Sequence, residues 1–463
     1  MTVLPETASR AGVLSAAYRS LTLGAVALIS LIAFEALAVA TAMPTVARAL
    51  DGLPLYALAF AGPLASGVVG MVASGLWSDA RGPAGPLWTG TALFVLGLVL
   101  AATAPTMGVL VLGRLVQGVG GGLITVALYV VVGRAYPSTL HARIFSAFAA
   151  AWVLPSLVGP LVAGLVVTHL GWRWVFSSVA VIAIPAAVLL LPVSRIVGRP
   201  EQRSLENRGH PTRTLAWALG AALAAGLLHV AGQQRGWGAV PLLGIAIAGV
   251  VVCAPRLLPA GSLRAAPGLP AAIALRGVTA AAFFTAEAFI PLLLSRERDL
   301  SPTTAGLVLT VGACAWSTGS WFQGRRGQRM SPARLLRSGM LAITAGIIAV
   351  GATTAAAVPL AIAVVGWFSA GLGMGLVFPT LSVLTLELST PTEQGTNSAA
   401  LQLSDSLFSA TVLALGGSLF VALLSRSSTA AFAATFATAS CLALTGLLIS
   451  GRTGARTKQQ SPV

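Results

Sequence analysis

Long apolar runs separated by short polar segments occupy almost the whole chain. A bilayer core about 30 Å thick needs roughly 20 apolar residues per helix, and fourteen nearly uncharged runs approach or exceed that length. The predicted membrane-spanning helices cover residues 21–47, 55–77, 87–105, 107–132, 144–168, 174–194, 214–231, 239–254, 270–294, 302–322, 335–355, 357–386, 398–425 and 428–450. The seventh and eighth runs are short, with the polar residues 233–236 between them, so twelve spans are the alternative.

Composition supports a membrane protein. Of the 463 residues, 56% are hydrophobic and 9% are charged, whereas soluble domains carry about 25% charged residues. This excludes a soluble globule and a disordered chain. Cys253, Cys314 and Cys441 each lie in an apolar run, which also excludes a disulfide scaffold. The sequence therefore predicts an all-α polytopic membrane protein.

The net charge of +16 is explained by membrane topology. Lys and Arg resist translocation, so they collect in cytoplasmic loops. If both termini are cytoplasmic, twenty-one of the 28 basic residues, Arg276 among them, fall on the cytoplasmic side. Six fall outside, and Arg114 alone lies inside a span. We therefore expect a multi-pass protein of the cell membrane with cytoplasmic termini and no nucleic-acid partner.

The two ends of the chain repeat each other. The four glycines and the final leucine of residues 113–123 recur in residues 366–376, at an offset of 253. Glu35 is matched by Glu287 at an offset of 252, and the loop 77–82 is matched by residues 321–327. Parallel repeats of this kind are a transporter architecture, with a mid-membrane site between two rocking halves.

The repeat predicts the domain organisation. Residues 1–194 form a first six-helix bundle, and residues 270–450 form a second, parallel one. Residues 195–269 between them hold a basic loop and two inserted helices, and residues 451–463 are a cytoplasmic tail. Six helices and a loop need only about 200 residues at roughly 20 per span, so the offset near 250 favours fourteen spans.

Four charged residues fall inside predicted spans: Glu35, Arg114, Glu287 and Asp405. A charge at mid-membrane costs about 2.5–3.5 kcal/mol on insertion scales and usually marks an ion or proton pathway. A carboxylic acid that loses water is more easily protonated, which makes Glu35 the leading candidate for proton coupling. Arg114 stays charged and could respond to a nearby carboxylate. For each residue, a fixed structural ion pair or a solvated position near a helix end is the alternative.

Two further motifs could shape the conformational cycle. Asp79, in a loop motif with Gly75, Arg81 and Gly82, could pair with an arginine or cap a helix, forming a bond that breaks as the halves rock. In the fifth span, prolines and glycines could seal a path between the halves or form only a passive kink. The residues of this second motif are Pro155, Gly159, Pro160 and Gly164.

These motifs together resemble the major facilitator superfamily, specifically its fourteen-helix drug:proton antiporter branch. Residues 75–82 look like the cytoplasmic loop signature, although Ala80, Pro83 and Ala84 replace usual basic residues. Residues 110–122 resemble the fourth-helix signature through Arg114, Gln117, Gly118 and Gly120, and in that family the arginine is implicated in proton transfer. Residues 155–164 are similar to the antiporter signature. Residues 35–44 resemble the first-helix signature, with Glu35 replacing aspartate, and residues 171–176 resemble the start of the sixth helix.

The resemblance implies a monomeric exporter that uses the proton gradient and no cofactor or metal. Its partners would be protons, the bilayer and a small hydrophobic or cationic substrate. Export or flipping of a lipid by the same fold is the alternative. An enzyme or receptor is disfavoured, because His141, His169, His210 and His229 form no metal-ligand spacing and no phosphate loop is present.

Overall fold

The protein is all-helical in the part described by the computed structural model, which covers residues 12–193, 211–233, 239–300, 302–424 and 426–454. Fourteen α-helices lie in these ranges, and each overlaps one predicted span. They are α1 Arg19–Ala49, α2 Tyr56–Arg81, α3 Ala84–Ala102, α4 Met107–Ala135, α5 Ser138–His169, α6 Arg173–Val188, α7 Pro211–Gln233, α8 Ala239–Leu257, α9 Leu269–Glu297, α10 Pro302–Arg326, α11 Pro332–Ala352, α12 Leu360–Glu387, α13 Gln394–Leu424 and α14 Ser428–Ser450.

Local sequence signals explain where several helices begin and end. Thr106 and Ser427 precede α4 and α14, and each side chain accepts a hydrogen bond from a backbone N–H in the first turn. Between α2 and α3 the chain turns at Gly82, whose φ of 90° is readily adopted by glycine. Helix α6 ends at Val188, six residues before its predicted limit of 194. The backbone N–H groups of Leu190 and Leu191 donate to carbonyls three residues back, so tighter turns replace the α-helix there.

Twelve of the described helices are long and apolar enough to cross a membrane. The twelve include α7 and α8, the pair that the sequence marked as weakest. Helix α6 is apolar but has only 16 residues, and α10 is not among the twelve. The chain is therefore an integral membrane protein, and the described helices outside these twelve are α10 and the short α6, not the two central ones.

The buried apolar side chains form three main clusters. The first is built almost wholly from α1 to α6, and the second from α9 to α14. The third joins α7 and α8 to the faces of α2, α9 and α13. The central helices thus pack on one side of the molecule, against elements from both ends of the chain.

The repeated glycines are sites of close helix packing. A Cβ at Gly118 or Gly122 would overlap backbone oxygens of α2, and one at Gly120 would overlap the backbone of α3. In the repeat, Gly371 and Gly375 approach α10 in the same way, while Gly373 approaches α11. Small residues allow such close approach in membrane helices. The spacing is retained because each glycine pattern packs one helix against two neighbours.

Gly122→Ala is expected to destabilise the protein by about 1–3 kcal/mol, the usual cost of overpacking. The added Cβ would overlap the carbonyl oxygen of Gly67 in α2. Gly121→Ala is the matched control, because its Cβ would meet only Phe94 at 4.0 Å. Thermal unfolding of the purified proteins measures the difference. Equal unfolding temperatures for the two variants would contradict close α2–α4 packing at Gly122.

Some predictions concern residues outside the described ranges. These are the basic loop with Arg195, Arg199, Arg203 and Arg208, the turn at residues 234–236, and the basic residues Arg10, Arg456 and Lys458.

Candidate functional site

Three of the predicted residues meet in a buried cluster between α1 and α4. The Arg114 guanidinium forms an ion pair with the Glu35 carboxylate. The same nitrogen donates to Gln117 Oε1 at 2.8 Å, and Arg114 Nε donates to the backbone oxygen of Ala59 at 3.2 Å. Glu35 is 5% exposed and Arg114 is 4% exposed. The structure therefore brings a titratable carboxylate and a permanent cation together away from bulk water.

The spacing along α4 explains this arrangement. Arg114 and Gln117 are three residues apart and so lie on the same helix face. The glycines at 113, 118 and 120 bring α4 close to α2 and α3 on its other faces. Arg114 also has two partners besides Glu35, the Gln117 side chain of its own helix and a backbone oxygen of α2, and their dipoles compensate part of its charge.

A second buried ion pair lies between α9 and α13. Arg276 Nε is 3.0 Å from Asp405 Oδ2, and Arg276 is 5% exposed. Its other nitrogens donate to the backbone oxygen of Phe378 at 3.3 Å and to Gln402 Oε1 at 3.5 Å. The guanidinium carbon also lies 3.5 Å from the centroid of the Phe378 ring. Asp405 therefore has a fixed cationic partner.

The expectation that Arg276 belongs to a cytoplasmic loop, with Arg114 alone inside a span, is wrong. Arg276 is the eighth residue of α9, and its side chain points into the protein. Its partner Asp405 is 129 residues away in sequence, so local charge counting could not reveal the pair. The useful signal was Asp405 itself, since charged side chains inside membrane helices often pair with one another.

Glu287 has a different environment. It is half-buried in α9, and among the described residues it forms no hydrogen bond or ion pair, either with Arg296 or with any other cation. The structure therefore does not reproduce, at Glu287, the ion pair that Glu35 forms at the matching position. The two repeats place carboxylates at equivalent positions but compensate only one of them with arginine.

Asp79 joins α2 to the start of α13. Its carboxylate accepts hydrogen bonds from the backbone N–H groups of Gly395 and Thr396, both at 2.7 Å, and from the Thr396 hydroxyl at 2.7 Å. Arg134 lies 3.8 Å from the same carboxylate and donates to the backbone oxygen of Pro391 at 3.2 Å. A carboxylate is favourable there because the first-turn N–H groups of a helix lack partners and carry positive charge.

The rest of the loop motif has separate roles. Gly75 faces Gly395 so closely that a Cβ on either would meet the other's backbone. Gly82 makes the turn into α3, whereas Arg81 is exposed. Arg81 forms no ion pair with any other described residue. Asp79 and Gly75 thus form the contact, while Arg81 stays outside it.

The fifth-helix motif lies along α1. Helix α5 continues through both Pro155 and Pro160. Pro155 and Gly159 are buried, and a Cβ at Gly159 would meet Phe34 and Leu37 at 3.7 Å, an ordinary contact distance. Pro160 is exposed, and a Cβ at Gly164 would meet nothing within 4 Å. In this conformation the motif therefore packs one face of α5 beside the Glu35 segment without an especially close approach.

Asp79→Ala is expected to loosen the contact between α2 and α13, because α13 loses its cap at a cost of about 1 kcal/mol or more. A cysteine placed at Ala399, beside Gly75, should then react faster with a thiol reagent in a protein whose own cysteines are replaced. Arg81→Ala, two residues along and exposed, is the control. Equal labelling rates of this cysteine with Asp79 present and with Asp79→Ala would show that the cap does not hold the contact between α2 and α13.

Comparisons with known proteins agree with this architecture. The Major Facilitator Superfamily family model matches residues 23–409. A "Probable multidrug-efflux transporter" of Mycobacterium tuberculosis is 26% identical over 331 residues, which cover 67% of this chain and 68% of that protein. "Multidrug resistance protein 3" of Bacillus subtilis is 26% identical over 215 residues, covering 45% of this chain and 40% of that protein.

Solved structures show the same fold. The human organic anion transporter MFSD10 superposes with a TM-score of 0.69 at 14% identity, covering 93% of this chain and 98% of that one. The proton:xylose symporter XylE gives a TM-score of 0.64 at 16% identity, with 93% and 94% covered. Proteins of this family are transporters and not enzymes, and generally use ion gradients without a cofactor. The family match spans most of the chain, so this chain belongs to the Major Facilitator Superfamily.

Proposed function

We propose that the protein is a proton-coupled exporter of hydrophobic or cationic small molecules, of the multidrug-efflux type. The observation that carries this proposal is the buried ion pair of Glu35 with Arg114. Glu35 takes a proton from the outer side and releases it to the cytoplasm as access alternates. Arg114 stabilises the ionised form and keeps its contacts with Gln117 and the backbone of Ala59 while Glu35 is protonated. Glu287 and Asp405 are the further candidates for coupling.

The proposed cycle also needs a contact that opens and closes. The cap of Asp79 on α13 and the glycine contact beneath it suit this role at the predicted cytoplasmic end. Gly159 and Pro160 hold the α1–α5 interface during turnover. The three hydrogen bonds from α13 to Asp79 break together when the helices separate, so the closed conformation is a discrete state and not a gradual displacement.

The architecture proposed with this function has fourteen membrane spans in two parallel six-helix halves, residues 1–194 and 270–450. Residues 195–269 insert α7 and α8, and residues 451–463 form the tail. Both termini are cytoplasmic, the protein is a monomer in the cell membrane, and it belongs to the fourteen-helix drug:proton antiporter branch. The separate apolar clusters of α1 to α6 and of α9 to α14 support this division.

The driving force is sufficient for efflux. One positive charge moving inward releases about 2.3 kcal/mol per 100 mV. Because 1.4 kcal/mol corresponds to a factor of ten, one proton per cycle sustains a gradient of about fiftyfold for a neutral substrate at that potential. A monovalent cation exchanged for one proton moves no net charge, so its gradient is driven by the proton concentration difference alone.

The test uses everted membrane vesicles whose lumen is acidified by respiration. Adding a transported compound should release protons from vesicles that contain the protein, and not from vesicles without it. A pH-sensitive dye in the lumen reports the release across a panel of lipophilic cations and neutral drugs. No release with any compound, together with translocation of a labelled lipid, would replace the drug-export proposal with the lipid-exporter alternative.

A further inference from the structure

Exposed arginines collect at the predicted cytoplasmic ends of α10, α11 and α14. They are Arg325, Arg326, Arg329, Arg334 and Arg337 around the short loop between α10 and α11, and Arg452 after α14. All six are exposed, and none forms an ion pair with another described residue. The nearest carboxylates along the chain from the first five are Asp299 and Glu387, so neither α10 nor α11 carries a compensating negative charge.

The internal repeat shows that this concentration of charge is not required by topology. Residues 77–82 are matched by residues 321–327, so the loop between α2 and α3 is the counterpart of the loop between α10 and α11. The first of these loops carries only Arg81, and α3 begins with residues 84–87, which are uncharged. Positive residues favour the cytoplasmic side of a membrane, and the first half meets that preference with one arginine in this loop. The second half therefore holds more positive charge here than its orientation needs.

Arg337 and Arg452 meet where α11 and α14 pack together. A Cβ at Gly451 would lie 3.0 Å from Arg337 Nη2, so this guanidinium touches the end of α14, next to Arg452. The backbone of Arg452 is held in place, because its carbonyl oxygen accepts a hydrogen bond from the Gly268 N–H at 2.9 Å. Arg334 lies three residues before Arg337 and so on the same face of α11. Three arginines are thus gathered at one end of the α11–α14 interface.

Farther from the arginines, the exposed faces of both helices are apolar. On α11 the exposed positions that follow Arg337 at helical spacing include Leu341, which is 55% exposed, and Ile348. On α14 the residue one turn before Arg452 is Leu448, which is 79% exposed. Both helices are long and apolar enough to cross a membrane, so these side chains lie at the depth of the hydrocarbon. Each helix therefore presents positive charge at its end and apolar side chains deeper in the bilayer.

We propose that the ends of α11 and α14 bind an anionic phospholipid of the adjacent leaflet. The Arg337 and Arg452 guanidinium groups donate hydrogen bonds to the phosphate oxygens, Arg334 adds positive charge beside them, and an acyl chain lies along Leu341 and Leu448. Guanidinium suits a phosphate because it offers several N–H donors in a fixed planar fork. A soluble anion would use the arginines but not the apolar positions below them, whereas a phospholipid uses both. This binding is independent of the proposed export.

The experiment titrates the full-length protein, purified in detergent, with phosphatidylglycerol and with phosphatidylcholine of the same acyl chains, and reads the bound lipid by native mass spectrometry. Phosphatidylglycerol should bind more tightly. Each arginine near an anionic lipid contributes about fivefold in affinity, so Arg337→Gln/Arg452→Gln should weaken phosphatidylglycerol about twenty-five-fold and leave phosphatidylcholine unchanged. The matched control is Arg81→Gln/Arg143→Gln, which removes two exposed arginines at the same predicted side in the first half and should bind like the wild type.

Two outcomes of the titration would overturn the proposal. Equal affinities for the two lipids would show that the headgroup charge is not recognised, and equal losses in the two double variants would show that any exposed arginine serves. Arg337→Lys/Arg452→Lys keeps both charges and should lose less affinity than the glutamine variant. An equal loss would mean that the substitutions disturb this end of the fold, which would also contradict the proposed headgroup contact.

A last arm separates a lipid from a soluble anion. Glycerophosphoglycerol has the same headgroup without acyl chains, and at a concentration equal to that of the lipid it should not displace phosphatidylglycerol. Displacement at equal concentration would assign the arginines to a soluble phosphate compound and overturn the lipid site. Because no transport is measured, failure of the export proposal would leave these results unchanged.

Discussion

Glu35→Gln is expected to abolish proton-coupled export while the protein remains folded. Glutamine keeps the size and hydrogen-bonding capacity of the side chain but cannot exchange a proton, so Arg114 keeps a neutral partner throughout the cycle. General acid–base groups contribute about 10²–10⁴-fold where a proton must move, and we expect a loss at the lower end of that range or greater. The measurement is drug accumulation in cells with and without an uncoupler, beside a matched expression blot.

Two variants control this experiment. Glu35→Asp keeps a titratable group at the same position and should retain measurable export. Glu297→Gln neutralises another carboxylate on a membrane helix, but one that binds the Ser428 and Thr429 hydroxyls at the far end of α9, and should export normally. Unchanged export by folded Glu35→Gln would remove Glu35 from its proposed role and would move the coupling to Asp405 or Glu287.

Arg276→Leu is expected to cause the largest loss of stability, about 3–5 kcal/mol, because removing one partner leaves a buried charge uncompensated. Asp405 would lose its 3.0 Å ion pair, and the Phe378 carbonyl would lose a donor. The double variant Arg276→Leu/Asp405→Leu should recover much of the loss, since an apolar pair can replace a buried ion pair. Thermal unfolding of the purified proteins in detergent gives the comparison.

Arg334→Leu, an exposed arginine at the start of α11, is the control for removing a positive charge. It should unfold close to the wild-type temperature, because exposed charges contribute little to stability. If Arg276→Leu unfolded like Arg334→Leu, the α9–α13 ion pair would not stabilise the folded protein. If the double variant were as unstable as the single one, the loss would come from packing around Arg276 and not from the unpaired carboxylate.

Arg114 and Arg276 occupy the same depth, since each is the eighth residue of a 29-residue helix. Arg114 was found because it lies beside a recognisable glycine pattern. Arg276 was counted among the cytoplasmic arginines, and its burial depends on a carboxylate from another helix. The same limit applies to Asp79: its motif predicts a cap or an ion pair, and only the structure identifies α13 as the capped helix.

The sequence by itself determined the membrane class, the fourteen helices in the described ranges and the repeated glycine patterns. These depend on apolar length and local spacing, which a chain carries in its own order. The tertiary structure decided which charges are compensated and which helix Asp79 caps. Those features join residues more than a hundred positions apart, or depend on which helix faces meet. Hydrophobic periodicity does not determine them, because it specifies that a helix face is buried but not which face it is buried against.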